Sequence, residues 1–465
     1  MSSRHASENR FLTAPTGRLF LAQALPMMVV MSMSGLLTVV DAAFLGHFVG
    51  ADALAAISLV FPALMATIAL STLVSGGMSS LFARSLGAGR RDEAAAVFAR
   101  AHGLALLIAL LLAAVFFVGG DAAIARLAGG QQPIAAMAWT FLAITVCASP
   151  VQFLLGLHAD AWRNEGRAGL MAVMSVGVTI ANIALNYALI VGLDLGVAGS
   201  ALGTALAQGL GLFLLVVQRL RGDGFVPLAS LRKYAWTGGW RAIMVLGAPV
   251  SLSFIGIALV SATVIATLRL TSGPAYAETV AAYGIVTRVF SFTFLPLMAL
   301  ALAMQSIVGN NVGAGLYLRS DHVLRLALGF ALAYCAAVEA VLLWGSHFVG
   351  TAFIGDPAVV AQVATILQPM LSLYLFTGPI LVLALYFQAV GQPARTAALT
   401  LAKPFLLSPV LVVALGLTWG VPTLWLAYPI ADGLVLVLAS AIAIAGLRRR
   451  TSGVGFGLTV REEPA

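Results

Sequence analysis

A few oxygen-bearing side chains inside apolar sequence are the candidates for chemistry in this chain. Asp41 sits late in the apolar run from about Leu19 to Val49. An unpaired acid at bilayer depth costs roughly 3 kcal/mol on insertion scales, so Asp41 needs partners and marks a functional site by default. Asn182 and Asn186 lie four residues apart, as do Thr204 and Gln208, so each pair shares one helix face. Asn186 and Thr204 each lie about 7–9 residues from the turn near 193–195, roughly 10–14 Å at the helical rise. Asp41 lies about as far from the end of its own run. A carboxylate, two amides and a hydroxyl are therefore expected at one level. Such a set suits a small hard cation, which takes oxygen ligands. It equally suits a proton, whose hold on a buried carboxyl is tuned by the donors around it. The same residue types also join membrane helices to one another.

The elements that must position these residues follow from composition. The chain has 465 residues, 61% hydrophobic and 9% charged. Soluble domains carry about 25% charged residues, so this composition excludes that class. Apolar runs of about 20 residues or more read as membrane helices, and barrel strands would alternate in polarity instead. The expected fold is an all-α polytopic membrane protein of about twelve transmembrane helices in two pseudo-symmetric six-helix lobes. Its parts are an N-terminal tail at 1–17, a first lobe at 18–220, a linker at 221–240, a second lobe at 241–447 and a C-terminal tail at 448–465.

The net charge of +8 comes from arginine, with Lys233 and Lys403 the two lysines. The basic residues are scattered over alternate short loops, which reads as a topology signal rather than nucleic-acid contact. Both termini are expected in the cytoplasm of a cell with an inner membrane, and the first span is expected to be retained. Cys147 and Cys335 form no metal or disulfide pattern.

The two halves repeat. Ser80-Leu81-Phe82-Ala83-Arg84-Ser85-Leu86-Gly87-Ala88-Gly89 matches Ser306 through Gly315, and Gly166 and Gly196-Val197 match Gly391 and Gly420-Val421. Parallel repeats of this kind accompany carriers with a site between lobes. Asp41 has no acidic counterpart, because its repeat position falls near Thr267. The second half instead holds Arg288 and Asp432 near mid-depth, where an ion pair or shared polar network is expected. Pro26 lies about four turns before Asp41 and can act as a bend or hinge in the first span.

No stretch reads Gly-x-x-x-x-Gly-Lys-Ser/Thr, His-Glu-x-x-His or Gly-x-Ser-x-Gly. An enzyme is therefore not expected, and a membrane-embedded enzyme is the weakest alternative.

At this point the sequence resembles the multidrug and toxic compound extrusion family. The resemblance rests on Leu25-Pro26, Val40-Asp41 through Gly46, Gly50, Leu54-Ala55-Ala56 to Phe61-Pro62, and the two Gly-Ala-Gly loops. It continues through Asn182 to Asn186-Tyr187, Gly196-Val197-Ala198-Gly199 to Thr204, and Phe387-Gln388-Ala389-Val390-Gly391. It implies a V-shaped pair of six-helix lobes exporting amphipathic, cationic organic compounds in exchange for protons or sodium ions. It is most similar to the DinF-like branch, whose coupling site carries over to Asp41, Asn182, Asn186 and Thr204. These four would be the metal ligands only if sodium is the coupling ion. No other cofactor is implied, and a monomer in the lipid bilayer is expected. A lipid-linked glycan flippase is the nearest alternative, for which Arg288 is the one candidate cavity cation.

Overall fold

A computed structural model of the protein describes residues 9–222, 224–353 and 356–448. Of the two expected tails, residues 1–8 and 449–465 lie outside the described residues. No strand occurs among the described residues. Among the described residues, eleven helices are long and apolar enough to cross a bilayer, or twelve when one bent pair counts as a single span. Helices dominate because lipid offers no partner for free backbone groups.

The spans, in chain order, begin with α1 at Thr16–Phe44, α2 at Ala51–Gly87, α3 at Arg91–Leu127 and α4 at Gln132–Asn164. Next come α5 at Ala168–Asn186, α6 at Gly196–Leu220, α7 at Trp240–Thr271, α8 at Tyr276–Gly313 and α9 at Tyr317–Trp344. The bent pair is α10 at Pro357–Leu371 and α11 at Thr377–Ala389. Then α12 at Pro393–Leu401 continues through a π-helical turn into α13 at Ser408–Trp419, and α14 covers Ala427–Arg448.

The chain forms two compact units. The first takes Leu21–Ile255 with the N-terminal segment up to Ala14, and the second takes Pro15–Phe20 with Gly256 onward. The division falls inside α7 rather than in the linker before it, and the reason is a backbone contact. A Cβ on Gly77 of α2 would lie 2.0 Å from the carbonyl oxygen of Ile243, and one on Gly247 would lie 1.9 Å from that of Leu73. Small residues let membrane helices approach this closely. Ser251 adds a hydroxyl bond of 2.6 Å to the Ala69 carbonyl.

The internal repeat is visible in how the helices end. Below α2, the Arg90 amide bonds the Ser85 carbonyl at 2.9 Å and the Gly89 amide bonds that of Leu86 at 3.0 Å. Below α8, Leu316 bonds Asn311 at 2.8 Å and Gly315 bonds Val312 at 3.0 Å. Both are Schellman ends, which need a left-handed residue after the helix. Gly89 and Gly315 supply it, each with φ +74.

In the first unit, α2, α3 and α4 share a core that includes Met78, Phe82, Phe98, Phe153 and Leu157. At its edge the Arg219 guanidinium bonds the Glu165 carboxylate at 2.8 Å, with both side chains fully covered. Arg219 also stacks on Phe98 and Trp162. Burial pushes the Glu165 carboxyl up, and the Arg219 charge beside it works the other way.

In the second unit, one span is broken. α10 and α11 meet at 53°. Pro369 lies just before the break, and Glu339 of α9 accepts the Leu375 amide at 2.8 Å. Glu339 thus caps the backbone at the break from a neighbouring helix.

Replacing Gly247 with Ala should cost about 1–3 kcal/mol, the range for overpacking a tight contact. Its counterpart control is Gly177→Ala, because nothing lies within 4 Å of a Cβ there. The melting temperature in detergent should fall by several degrees for Gly247→Ala and stay within a degree or two for Gly177→Ala.

Candidate functional site

The four residues expected to act together do meet. Asn186 donates from Nδ2 to Asp41 Oδ1 at 2.6 Å and to Asn182 Oδ1 at 3.1 Å. Asn182 donates from Nδ2 to Thr204 Oγ1 at 3.2 Å. Thr204 in turn donates to Asp41 Oδ2 at 3.4 Å. The result is a closed ring across α1, α5 and α6 whose donors run toward the carboxylate. Asn182 and Asn186 are fully buried, and Asp41 is partly exposed. Gln208, one turn beyond Thr204, takes no part in the ring.

Local structure explains how three helices bring short side chains together. α1 runs through Pro26 without a break in its helical backbone. Just after Asp41 it widens into a π turn at Leu45–Val49, and α5 does the same at Tyr187–Gly192, directly after Asn186. The two turns touch through Phe48 and Tyr187, whose rings lie 6.5 Å apart edge to face. Such turns often mark functional sites. Neither is readable from apolar periodicity, because both lie within runs of uniform hydropathy.

Space for the Asn186 amide comes from Gly203 of α6. A Cβ there would lie 2.1 Å from Asn186 Oδ1. That oxygen is buried and has no hydrogen-bond partner. It is the one acceptor in the ring left unused, so it can receive a further donor or a cation.

The expected Arg288–Asp432 network is not what the structure holds. Asp432 of α14 pairs with Lys403 at 2.5 Å. Lys403 lies in the π-helical turn Ala402–Leu407. Arg288 is exposed and makes no ion pair among the described residues. Depth was legible from the sequence, but direction around the helix was not. Tyr283 of α8 faces α14, with its hydroxyl 3.0 Å from that of Tyr428 and its ring stacked on Trp425. Arg288 follows Tyr283 by five residues and so points about 140° away, whereas Asp432 follows Tyr428 by four and stays near its face. A lysine in an apolar run was the available signal for the true partner. The repeat position of Asp41 holds no acid either: the Thr267 hydroxyl donates into its own helix, to Thr263 at 2.9 Å.

A second polar feature of the first unit is a buried histidine pair. His102 and His158 approach at 3.2 Å between their Nε2 atoms. His158 carries no signal in the sequence, because its helix face is otherwise apolar. A cavity of about 390 Å³ lies elsewhere in this unit, lined by Arg10, Phe11, Arg167 and Phe225 among others.

The MatE family model matches residues 26–188 and 249–414, and the chain belongs to that family. It is 25% identical to a FAD transporter from Shewanella oneidensis, over 93% of this chain and 94% of that one. It is 24% identical to the multidrug export protein MepA from Staphylococcus aureus, over 87% and 88% of the two chains. The fold matches that of a MOP superfamily transporter from Pyrococcus furiosus, with a TM-score of 0.86, 19% identity and coverage of 95% and 98%. It equally matches an outward-facing multidrug resistance MATE family transporter, with a TM-score of 0.86, 20% identity and coverage of 97% and 100%. The chain is therefore a multi-pass membrane protein of a transporter family.

Gly203→Ala tests the ring through its geometry. The added Cβ displaces the Asn186 amide from Asp41, so transport should fall at least tenfold while the amount of folded protein stays normal. Gly209→Ala on the same helix meets nothing within 4 Å and should stay within twofold of the parent.

Proposed function

We propose that this protein is a proton-coupled antiporter that exports amphipathic organic compounds across the inner membrane, with Asp41 as its coupling carboxylate. The observation that carries this reading is the ring: one amide of α5 and one hydroxyl of α6 donate to the acid of α1, and Asn182 links those two donors. Relatives that include a multidrug export protein support the substrate class. A basic set of alternate loops supports cytoplasmic termini.

The mechanism follows from what a proton does to the ring. With Asp41 ionised, its oxygens accept from Asn186 and Thr204. A proton on Asp41 Oδ1 turns that acceptor into a donor, and the Asn186 bond must be remade. Turning the Asn186 amide presents Oδ1, the ring's unused acceptor, to that proton. The geometry of α1 beyond Asp41 then differs between the two charge states. Substrate bound near the ionised ring is released when the ring rearranges, and return of the carrier delivers the proton inside. The two states need differ in proton affinity by only tenfold, about 1.4 kcal/mol, for the gradient to bias them.

A proton fits this donor arrangement better than sodium. A sodium ion needs several oxygens turned toward it, and here the Asn186 amide and the Thr204 hydroxyl both donate to the carboxylate. Asn186 also leaves the site with a single acid. Placement in the DinF-like branch rests on the same four residues together with Thr267 at the repeat position of Asp41.

In proteoliposomes, Asp41→Asn should abolish gradient-driven ethidium transport with folding and insertion unchanged. An imposed proton gradient should drive transport in the parent, and a sodium gradient alone should not. Parental rates in the variant, or sodium-driven transport, would overturn the reading.

A further inference from the structure

The second unit handles its intramembrane carboxylate differently from the first. Asp432 is neutralised by a built-in cation, Lys403, at 2.5 Å. Both lie far from the ends of their spans. Lys403 is ten residues from Pro393 and sixteen from Trp419, about 15 and 24 Å at the helical rise. Asp432 is eleven residues from Val421 and fourteen from Gly446, about 16 and 21 Å. Snorkelling does not bring an ammonium to the headgroups over such distances.

The pair is unevenly covered. The Asp432 side chain is 9% exposed and that of Lys403 is 30% exposed. Charged residues within spans face polar interiors or aqueous cavities, so the exposed part of the Lys403 side chain at mid-depth is the side open to a polar ligand. Asp432 lies behind it as the closed side of the pair. Lys403 also stands in a π turn with Pro404, a backbone distortion that recurs at functional sites. Arg288 is a second cation near mid-depth in this unit, exposed and without an ion pair among the described residues.

We infer that Lys403 is a binding group for the anionic part of a substrate, a carboxylate or phosphate on an amphipathic body, with Asp432 as its resting counter-ion. An arriving anion shares or takes the ammonium, and the empty site stays neutral because Asp432 holds Lys403 in the meantime. This role rests on the transporter reading above, and it adds a charge preference located away from the Asp41 ring. One 25%-identical relative transports FAD, a molecule with an amphipathic body and a pyrophosphate.

Binding of FAD and of ethidium to the purified full-length protein tests this site, followed by transport of each in proteoliposomes. Lys403→Gln should raise the Kd for FAD at least tenfold and leave that for ethidium within twofold. Lys403→Arg should hold FAD binding within about threefold of the parent. Asp432→Asn, which frees the ammonium, should tighten FAD binding severalfold. The double variant Lys403→Gln with Asp432→Asn leaves no unpaired charge, so it should fold normally and still lose FAD. The inference fails if the parent binds FAD no better than Lys403→Gln does. It also fails if Lys403→Gln and the double variant lose ethidium and FAD in parallel. Absence of ethidium transport in the parent would instead count against the proton-antiport reading, because FAD binding is measured without any gradient.

Discussion

A carboxylate inside a bilayer must be solvated by the protein, and the first unit is arranged around that need. Asp41 gets its solvation from a ring of short side chains on two other helices. Short side chains require close helices, and close helices require room. Gly203 gives that room beside Asn186. Paired π turns follow Asp41 and Asn186 and touch each other through Phe48 and Tyr187. Removing the charge changes which ring members donate, so the constraint that stabilises the site also makes it responsive.

The second unit solves the same problem with a lysine. A lysine counter-ion stays in place through a cycle, whereas a proton can leave. The two compact units repeat one another down to the Schellman ends at Gly89 and Gly315, yet they differ where charge lies in the membrane. In that asymmetry the first unit holds an acid solvated by neutral donors, and the second holds an acid paired with a fixed cation.

Much of this was legible in the sequence. Runs of uniform hydropathy marked the spans, and the depth of Asp41, Asn186 and Thr204 followed from counting residues to the nearest turn. The ring closed as expected because all three lie a similar distance from the same membrane face. What the sequence left hidden depends on angle and backbone irregularity rather than depth. Arg288 shares the level of Asp432 but points elsewhere, and Lys403 takes its place. The π turns, the 53° break capped by Glu339 and the contact of α7 with α2 all lie in stretches of unremarkable hydropathy. Backbone approach at Gly77 and Gly247 depends on which helices are neighbours, and one sequence does not state that.

The central claim is that substrate and proton compete through Asp41, and the most direct measurement is proton release on substrate binding. Reciprocity of linked equilibria requires that a proton which weakens substrate binding be expelled by substrate. Ethidium added to lightly buffered purified protein, near the midpoint of its pH-dependent binding, should release up to about one proton per dye bound. The release should vanish in Asp41→Asn while dye still binds. Undiminished release from Asp41→Asn, or dye binding to the parent across the accessible pH range with no release, would contradict the account.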